Sequence, residues 1–187
     1  GPWAGPVMAG AVWINPALLS SLPSEITDSK KLTPSKREYI HKALISLNIA
    51  MAVGQADVEE IDRLNILNAT FLAMERACIN LQEKMGSNIQ TILVDGNRKP
   101  IFKVMSEQIN RIPIINGDNM SLSIAAASII AKQKRDSYMC DLHSLHPEYG
   151  FNRHKGYGTK FHRLALAEFG PTPHHRSSFA PIRALTS

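Results

Sequence analysis

Two aspartates stand where an α/β protein carries its chemistry. Asp95 ends the apolar run TILVD, and Asp118 follows RIPIING after a short turn. If both runs are strands of one sheet pointing the same way, both acids emerge at the same edge. That edge, beyond the carboxyl ends of the strands, is where α/β sheets usually hold their sites. Converging carboxylates repel one another unless a cation lies between them, and hard oxygen donors with room for water suit Mg²⁺ or Mn²⁺. Such a site supports phosphodiester hydrolysis, with one ion activating water and the other stabilising the leaving oxygen. A plainer reading competes: Asp95-Gly96 and Asn116-Gly117 are common turn formers. Two acids are also few for a two-ion site, and no third acid of the chain ends an equivalent strand.

A second set of residues is basic. The chain carries 21 Lys and Arg against 16 Asp and Glu, a net charge of +5. From Phe151 onward there are six basic residues (Arg153, Lys155, Lys160, Arg163, Arg176 and Arg183) and one acid, Glu168, so this end alone has +5 and the first 150 residues sum to zero. Four histidines (His154, His162, His174 and His175) join it. A basic end on a neutral body suits a polyanion, most often nucleic acid, or else a solvated surface, and charge alone does not separate the two. Lys30, Lys31, Arg153, His154, Lys155 and Arg176 are the phosphate-contact candidates. His154 and His162 have no cysteine or carboxylate in register and do not form a metal-ligand pattern.

The elements that must position these groups are legible in outline. Val7–Ile14 and Ile49–Ala56 are strand candidates. A helix is predicted from Pro34, with Thr33 as N-cap. Asp57 and Glu60 form a capping-box variant opening a helix toward Leu81, with Leu67, Phe71, Met74 and Cys78 on one face. Thr91–Asn97 and Arg111–Asn119 share one design, strand then turn then carboxylate. The small residues of SLSIAAASIIAKQKRD predict a helix lying close against a sheet. A last helix, GTKFHRLALAEF, stops at Gly170-Pro171, and the tail TPHHRSSFAPIR is expected to be irregular. Strands, helices and strands in this order give an α/β domain with a mixed sheet and a helical C-terminal portion: a core over 1–140 and a basic substrate-binding portion over 141–187.

With 44% apolar and 20% charged residues, the composition suits a soluble folded chain. No run approaches the ~18 unbroken apolar residues of a membrane helix, and no secretory leader is read at the start. Cys78 and Cys140 lie far apart in predicted helices and are expected to be buried, reduced thiols of a cytoplasmic protein.

Six blocks in one order carry a more specific signal: DSKKL (28–32), VEEIDRLNIL (58–67), LVDGN (93–97), GDNMSLSIAAASIIAK (117–132) with Arg135-Asp136, HPEYGFNRHKGYGTKFH (146–162) and GPTPHHRSSFAP (170–181). Together they resemble ribonuclease HII, the type 2 ribonuclease H family, over essentially the whole chain. The resemblance implies the ribonuclease H fold, with a five-stranded mixed sheet. It also implies cleavage of the RNA strand in RNA–DNA hybrids, single ribonucleotides embedded in DNA included, with Mg²⁺ or Mn²⁺. In the family four acids hold the metals, and Asp95 and Asp118 match two of them. Tyr157 matches the tyrosine that stacks under the sugar at the RNA–DNA junction; an aromatic face suits deoxyribose and excludes a 2′-hydroxyl.

One departure from the family stands out. GPWAGPV matches the end of its first block, so Gly1 corresponds to the last glycine of a Gly-Arg-Gly grip on the 2′-hydroxyl, the group that tells RNA from DNA. The Asp-Glu pair of that block, two metal ligands, is not among these residues. Nor is the first strand, which in the family lies between the strand at Val7–Ile14 and the one ending at Asp95. Both neighbours are then expected to have an open edge. A partial reading frame is the favoured explanation because every later block is intact; a Gly-Pro remnant of protease cleavage and a degenerate homologue are the others. The expected activity is therefore two-metal endonucleolysis by the family, with little turnover from these 187 residues alone. The alternative is a non-catalytic RNA–DNA hybrid-binding protein, and a DNA-specific nuclease or integrase of the same broad fold is opposed by the HKGYGT block. The expected partner is hybrid or ribonucleotide-containing DNA, with no membrane association and a monomeric state, and SFAPIRALTS shows no aromatic clamp-binding peptide.

Overall fold

The computed structural model describes residues 1–186, so the last residue of the predicted C-terminal portion lies outside the described residues. The chain divides into two units. One comprises Met8–Gln55 and Phe71–Gln133; the other comprises Gly1–Val7, Ala56–Thr70 and the chain from Lys134 onward. The basic C-terminal portion, read from the sequence as 141–187, thus packs together with the first seven residues and with a segment from the middle of the chain.

Local rules account for the element ends. Strand β1 (Val7–Trp13) is followed by a 3-10 turn at Pro16–Ser21 and by helix α1 (Pro34–Ser46). The Thr33 hydroxyl accepts from Lys36 N at 3.3 Å, and Pro34 occupies the first turn, where its missing N–H has no partner to lose. Strand β2 (Ala50–Ala56) leads to helix α2 (Val58–Met85) through a reciprocal capping box: Glu60 N donates to Asp57 Oδ1 at 2.8 Å, and Asp57 N donates to Glu60 Oε2 at 3.1 Å. The long helix is interrupted at Asn65 (φ 66°, ψ 163°), whose side chain accepts from Leu67 N and Asn68 N and so caps the segment that follows. That break turns Leu67 outward; of the predicted apolar face, Cys78 is buried and Phe71 and Met74 are half-buried.

Strands β3 (Thr91–Asp95) and β4 (Asn110–Ile114) pair in parallel, with Leu93 opposite Ile112 and Asp95 opposite Ile114. β1 pairs with β2 and β3 with β4, giving two two-stranded sheets among the described residues instead of one continuous sheet. The short α3 (Gly117–Met120) and the long α4 (Leu122–Leu145) follow β4. A Cβ on Gly10 of β1 would collide with the Ala127 carbonyl and lie 2.8 Å from Ile130 Cγ1, so the small residues do bring α4 close to the sheet. The core of this unit places Ile40 and Leu44 of α1 against Ile129 and Ile130 of α4, and Ala77, Cys78 and Leu81 of α2 against Phe102 and Met105. Each fully buried Ile or Leu here contributes about 1.5–3 kcal/mol relative to an exposed one.

The other unit holds α5 (Phe151–His154), α6 (Lys160–Phe169) and α7 (Ala180–Thr186), with a 3-10 turn at Pro147–Tyr149. Helix α6 has the Thr159 hydroxyl as its cap and ends at Gly170, as read from the sequence. Two expectations need correction. The tail is not irregular throughout, since α7 begins at Ala180 and Ile182 packs with Ala4, Met139, Leu142 and Phe151. Cys140 is exposed; it lies one residue past the inward-facing Met139 and so falls on the outer side of α4.

Candidate active site and nucleic-acid interface

The acids lie as their strands dictate. β3 and β4 are parallel neighbours, so Asp95 and the turn after Ile114 leave at the same edge. Gly96 N donates to Ile114 O at 2.9 Å and closes the ladder just past Asp95. Asn116 takes a left-handed conformation (φ 54°) that turns the chain back, and Gly117 N then donates to Asp95 Oδ1 at 2.9 Å. A Cβ on Gly117 would sit 2.6 Å from Ile124 Cδ1 and 3.3 Å from that same Oδ1, so glycine lets the turn meet the carboxylate without displacing either side chain. Asp118, the next residue, is 9% exposed, and its Oδ1 accepts from Asn119 Nδ2 at 2.9 Å. The second oxygen of each carboxylate has no hydrogen-bond partner among the described residues.

Lys31 belongs to this cluster. Its ammonium donates to Asn119 Oδ1 at 2.8 Å, making a chain of contacts from Lys31 through Asn119 to Asp118. Its loop is built from within: Asp28 Oδ1 accepts from Lys30 N, Asp28 O accepts from Lys31 N, and the buried Arg37 donates to Ser29 O and Leu32 O. Ser29 and Leu32 face inward and Lys30 and Lys31 outward. Asn119 was not singled out in the sequence; its position right after Gly117-Asp118 was the available signal.

The two carboxylates are hard oxygen donors at one sheet edge, linked through the Gly117 N–H that precedes Asp118 and meets Asp95, and donors of this kind suit a divalent cation. They are a partial set: no group of three or more His, Cys, Asp or Glu side chains comes together for a metal ion among the described residues.

The second unit presents Tyr157. The residue is 50% exposed, while its backbone is held by hydrogen bonds on both sides. Tyr157 N donates to His154 O, and Tyr157 O accepts from Thr159 N at 2.8 Å and from His162 Nδ1 at 3.0 Å. The Nδ1 of His162 must carry a proton to meet a carbonyl. Thr172 N donates to His175 Nδ1 at 2.9 Å, so the proton of His175 lies on Nε2 and is donated to His162 Nε2 at 3.0 Å. Burial pushes both rings down to about 4, which keeps the pair neutral.

Arg135 ties the same turn to the start of the chain. It donates through Nη1 to Lys155 O at 3.0 Å, through Nη2 to Ala4 O at 3.1 Å and through Nε to Pro6 O at 3.2 Å. Trp3 N donates to Gly156 O at 2.7 Å, and Trp3 O accepts from Arg176 N at 2.8 Å. Neither Arg135 nor Trp3 was predicted as a site residue. Both lie in stretches that resemble the family, but their contacts bridge most of the chain and are not readable from those stretches. Asp62 is a further anchor: it accepts from the backbone and hydroxyl groups of Ser177 and Ser178. Burial pushes its carboxyl up, but the bonds from Ser178 and Ser177 outweigh this and hold it below the usual range.

Among the predicted phosphate contacts, the geometry separates free cations from anchors. Arg153 and Lys30 are exposed, with side chains that have no partner among the described residues. Lys155 is half-buried and donates to Asn152 O at 2.6 Å and to Cys140 Sγ at 3.1 Å. His154 cannot serve as read: its Nε2 donates to Tyr149 O at 2.7 Å and its Nδ1 accepts from Gly156 N, so both nitrogens are engaged by backbone. Arg176 is 2% exposed and donates to Gly5 O and Pro6 O, 171 and 170 residues away, which makes it a clamp on the N-terminal segment and not a surface cation. Burial and the neighbouring Arg135 charge lower it to about 10, where it stays protonated at neutral pH. Gly1 is exposed near Phe179. Asp95, Asp118, Lys30 and Lys31 thus belong to one unit, and Gly1, Arg153, His154, Lys155, Tyr157 and Arg176 to the other. No helix among the described residues is long and apolar enough to cross a membrane.

Comparison with known proteins agrees with the six blocks. The family model described as ribonuclease HII matches residues 1–182. Ribonuclease HII of Paramagnetospirillum magneticum is 48% identical over 183 residues, covering 97% of this chain and 86% of that protein. Among solved structures, ribonuclease H2 from Pyrococcus horikoshii matches with a TM-score of 0.75 at 26% identity, covering 99% of this chain and 92% of the other. The Bst ribonuclease HIII solved in complex with Mn²⁺ matches at a TM-score of 0.73 and 17% identity, covering 100% of this chain and 66% of the other, which shows a shared fold. The family match over residues 1–182, the 48% identity to a ribonuclease HII along nearly the whole chain and the fold shared with ribonuclease H2 place this chain in the ribonuclease HII family, a family of hydrolases.

Proposed function

We propose that this chain supplies catalytic acids and a substrate-binding surface for an endonuclease that cuts the RNA strand of RNA–DNA hybrids, single ribonucleotides embedded in duplex DNA included. The observation that carries the reading is the bond from Gly117 N to Asp95 Oδ1, which joins the two acids of adjacent parallel strands in one turn. Asp95 and Asp118 would hold a divalent cation, Mg²⁺ or Mn²⁺; the Mn²⁺ complex of a ribonuclease HIII with the same fold supports this. When bound, such an ion supplies Lewis-acid activation of water and stabilisation of the leaving oxygen.

The chain's own residues do the rest. Gly117 N–H and the Asn119 amide each hold one carboxylate oxygen, leaving the other to face the cation. Lys31 braces Asn119 and adds positive charge beside a site that would otherwise repel a polyanion. Tyr157 presents its ring on a backbone fixed by His154, Thr159 and His162, so the face that meets the sugar is set in advance. Arg153, Lys155 and Lys30 contact phosphates, and Gly1 marks the backbone that reads the 2′-hydroxyl. The protein works as a monomer in the cytoplasm.

The test is nicking of a DNA duplex that holds one ribonucleotide, with Mn²⁺ or Mg²⁺, by this chain and by the chain preceded by a segment ending Asp-Glu-Ala-Gly-Arg. The longer chain is expected to cut 5′ to the ribonucleotide. Asp95→Asn keeps an oxygen to accept from Gly117 N but removes the charge, and is expected to lower the rate about 10³-fold, several kcal/mol at about 1.4 per decade. Full activity in Asp95→Asn would refute the metal assignment. Binding without any cutting by the longer chain would favour the non-catalytic reading instead.

A further inference from the structure

The segment between Asp95 and β4 contains a basic run with no role so far. Asn97–Lys103 reads NRKPIFK, and Arg98, Lys99 and Lys103 are all exposed. Their side chains have neither an ion pair nor a hydrogen bond among the described residues. Ile101 and Val104, between and beside them, are 75% and 78% exposed.

The backbone beneath this run is held by buried charged groups. Glu75 of α2 is buried, and its Oε1 accepts from Val104 N at 2.6 Å and from Met105 N at 2.9 Å. Arg111 of β4 donates to Pro100 O, Ser106 O and Ile109 O, and its guanidinium lies over the Phe102 ring at 5.2 Å. Pro100, Phe102 and Met105 point into the core. Inward anchors therefore alternate with outward cations and outward apolar side chains. A charge run that served only for solvation would need neither a buried Glu nor a buried Arg beneath it. Ordering a surface before a partner arrives lowers the entropy cost of binding.

Position adds a second argument. The run starts directly after Asp95, with cations three, four and eight residues on. A polyanion brought to the Asp95–Asp118 pair meets carboxylate repulsion, and fixed cations beside the pair offset it. An acidic protein partner would have no need to approach those carboxylates.

We infer that Arg98, Lys99 and Lys103 form a docking surface for the phosphate backbone of a nucleic-acid duplex beside the acid pair, with Ile101 and Val104 against its sugars. The inference rests on the proposed function only in taking nucleic acid as the partner. The test is fluorescence anisotropy of a labelled RNA–DNA hybrid in EDTA, at salt concentrations from 50 to 200 mM (roughly the range over which phosphate contacts dominate affinity). The variants are Arg98→Gln/Lys99→Gln/Lys103→Gln and, as a control for net charge, Lys36→Gln/Lys42→Gln on α1. With about 0.9 in the slope of log K against log salt for each phosphate contact on B-DNA, the triple variant is expected to lose roughly 2–3 in slope and on the order of 10-fold or more in affinity. Its thermal midpoint should match that of the original chain, since none of the three side chains has a partner to lose. The control should keep nearly the full slope. Equal slope and affinity in the triple variant, or an equal loss per charge in the control, would overturn the docking surface while leaving the proposed function standing. No hybrid binding by the unmodified chain would overturn both.

Discussion

Replacing Gly158 by Ala tests how the Tyr157 turn is held. Gly158 does not have positive φ, so its backbone accepts an L side chain. The space does not: an added Cβ would collide with Trp3 Cζ2, Cε2 and Cη2. The indole cannot leave easily. Trp3 N donates to Gly156 O and Trp3 O accepts from Arg176 N; the ring also lies 5.6 Å from His162 and 5.5 Å below the Arg163 guanidinium. Overpacking of this kind costs about 1–3 kcal/mol. The stiffer unfolded chain of the Ala variant returns about 0.4–1 kcal/mol. The net loss is then about 1–2 kcal/mol, a fall in Tm of roughly 2–8 °C for a chain of this size. In a Trp3→Ala background the obstacle is gone, and the same substitution should be neutral or stabilise by up to about 1 kcal/mol. Thermal and urea denaturation of the four proteins measures the coupling, expected at about 1–3 kcal/mol, as residues in direct contact show. Hybrid affinity should fall with Gly158→Ala as well, because the displaced turn carries Tyr157. An equal loss of stability in both backgrounds would refute the packing argument.

Acid should loosen the same turn. Burial holds His162 and His175 down to about 4, whereas histidine in the unfolded chain titrates at about 6.5. Between those values the unfolded chain binds protons that the folded one does not, so the stabilisation is complete above about pH 6.5 and is lost as pH falls toward 4. Urea midpoints measured from pH 7.5 to 4.5 should decline more steeply in the original chain than in His162→Phe/His175→Phe; parallel declines would count against the pair. The thiols should differ sharply. Burial, with the Glu75 carboxylate adding to it, pushes Cys78 up to about 12, while Cys140 is exposed. A thiol reagent at pH 8 should titrate Cys140 quickly and Cys78 only in denaturant, and two fast thiols in the folded chain would contradict the structure.

What was legible in the sequence follows distance along the chain. The Thr33–Pro34 helix start, the Asp57–Glu60 box and the Gly170 stop are settled within a few residues, and local rules found them. Asp95 and Asp118 were recognisable because each closes its own strand and turn. That the strands run parallel side by side, and that Gly117 N joins the two acids, depends on pairing across 22 residues and was conditional until the fold was known. The basic residues show the reverse. By type, His154 and Arg176 belong with Arg153, yet the first is engaged at both nitrogens by backbone and the second is buried against Gly5 and Pro6. Arg135 and Trp3 lie in stretches that resemble the family, yet nothing local shows that they tie the opening residues to the Tyr157 turn. Family, element order and the two acids are readable along the chain, because short-range chemistry and motif order are written residue by residue. Which cations face solvent and which hold the chain together is a matter of the fold, because the carbonyls that take up Arg135 and Arg176 lie more than a hundred residues away.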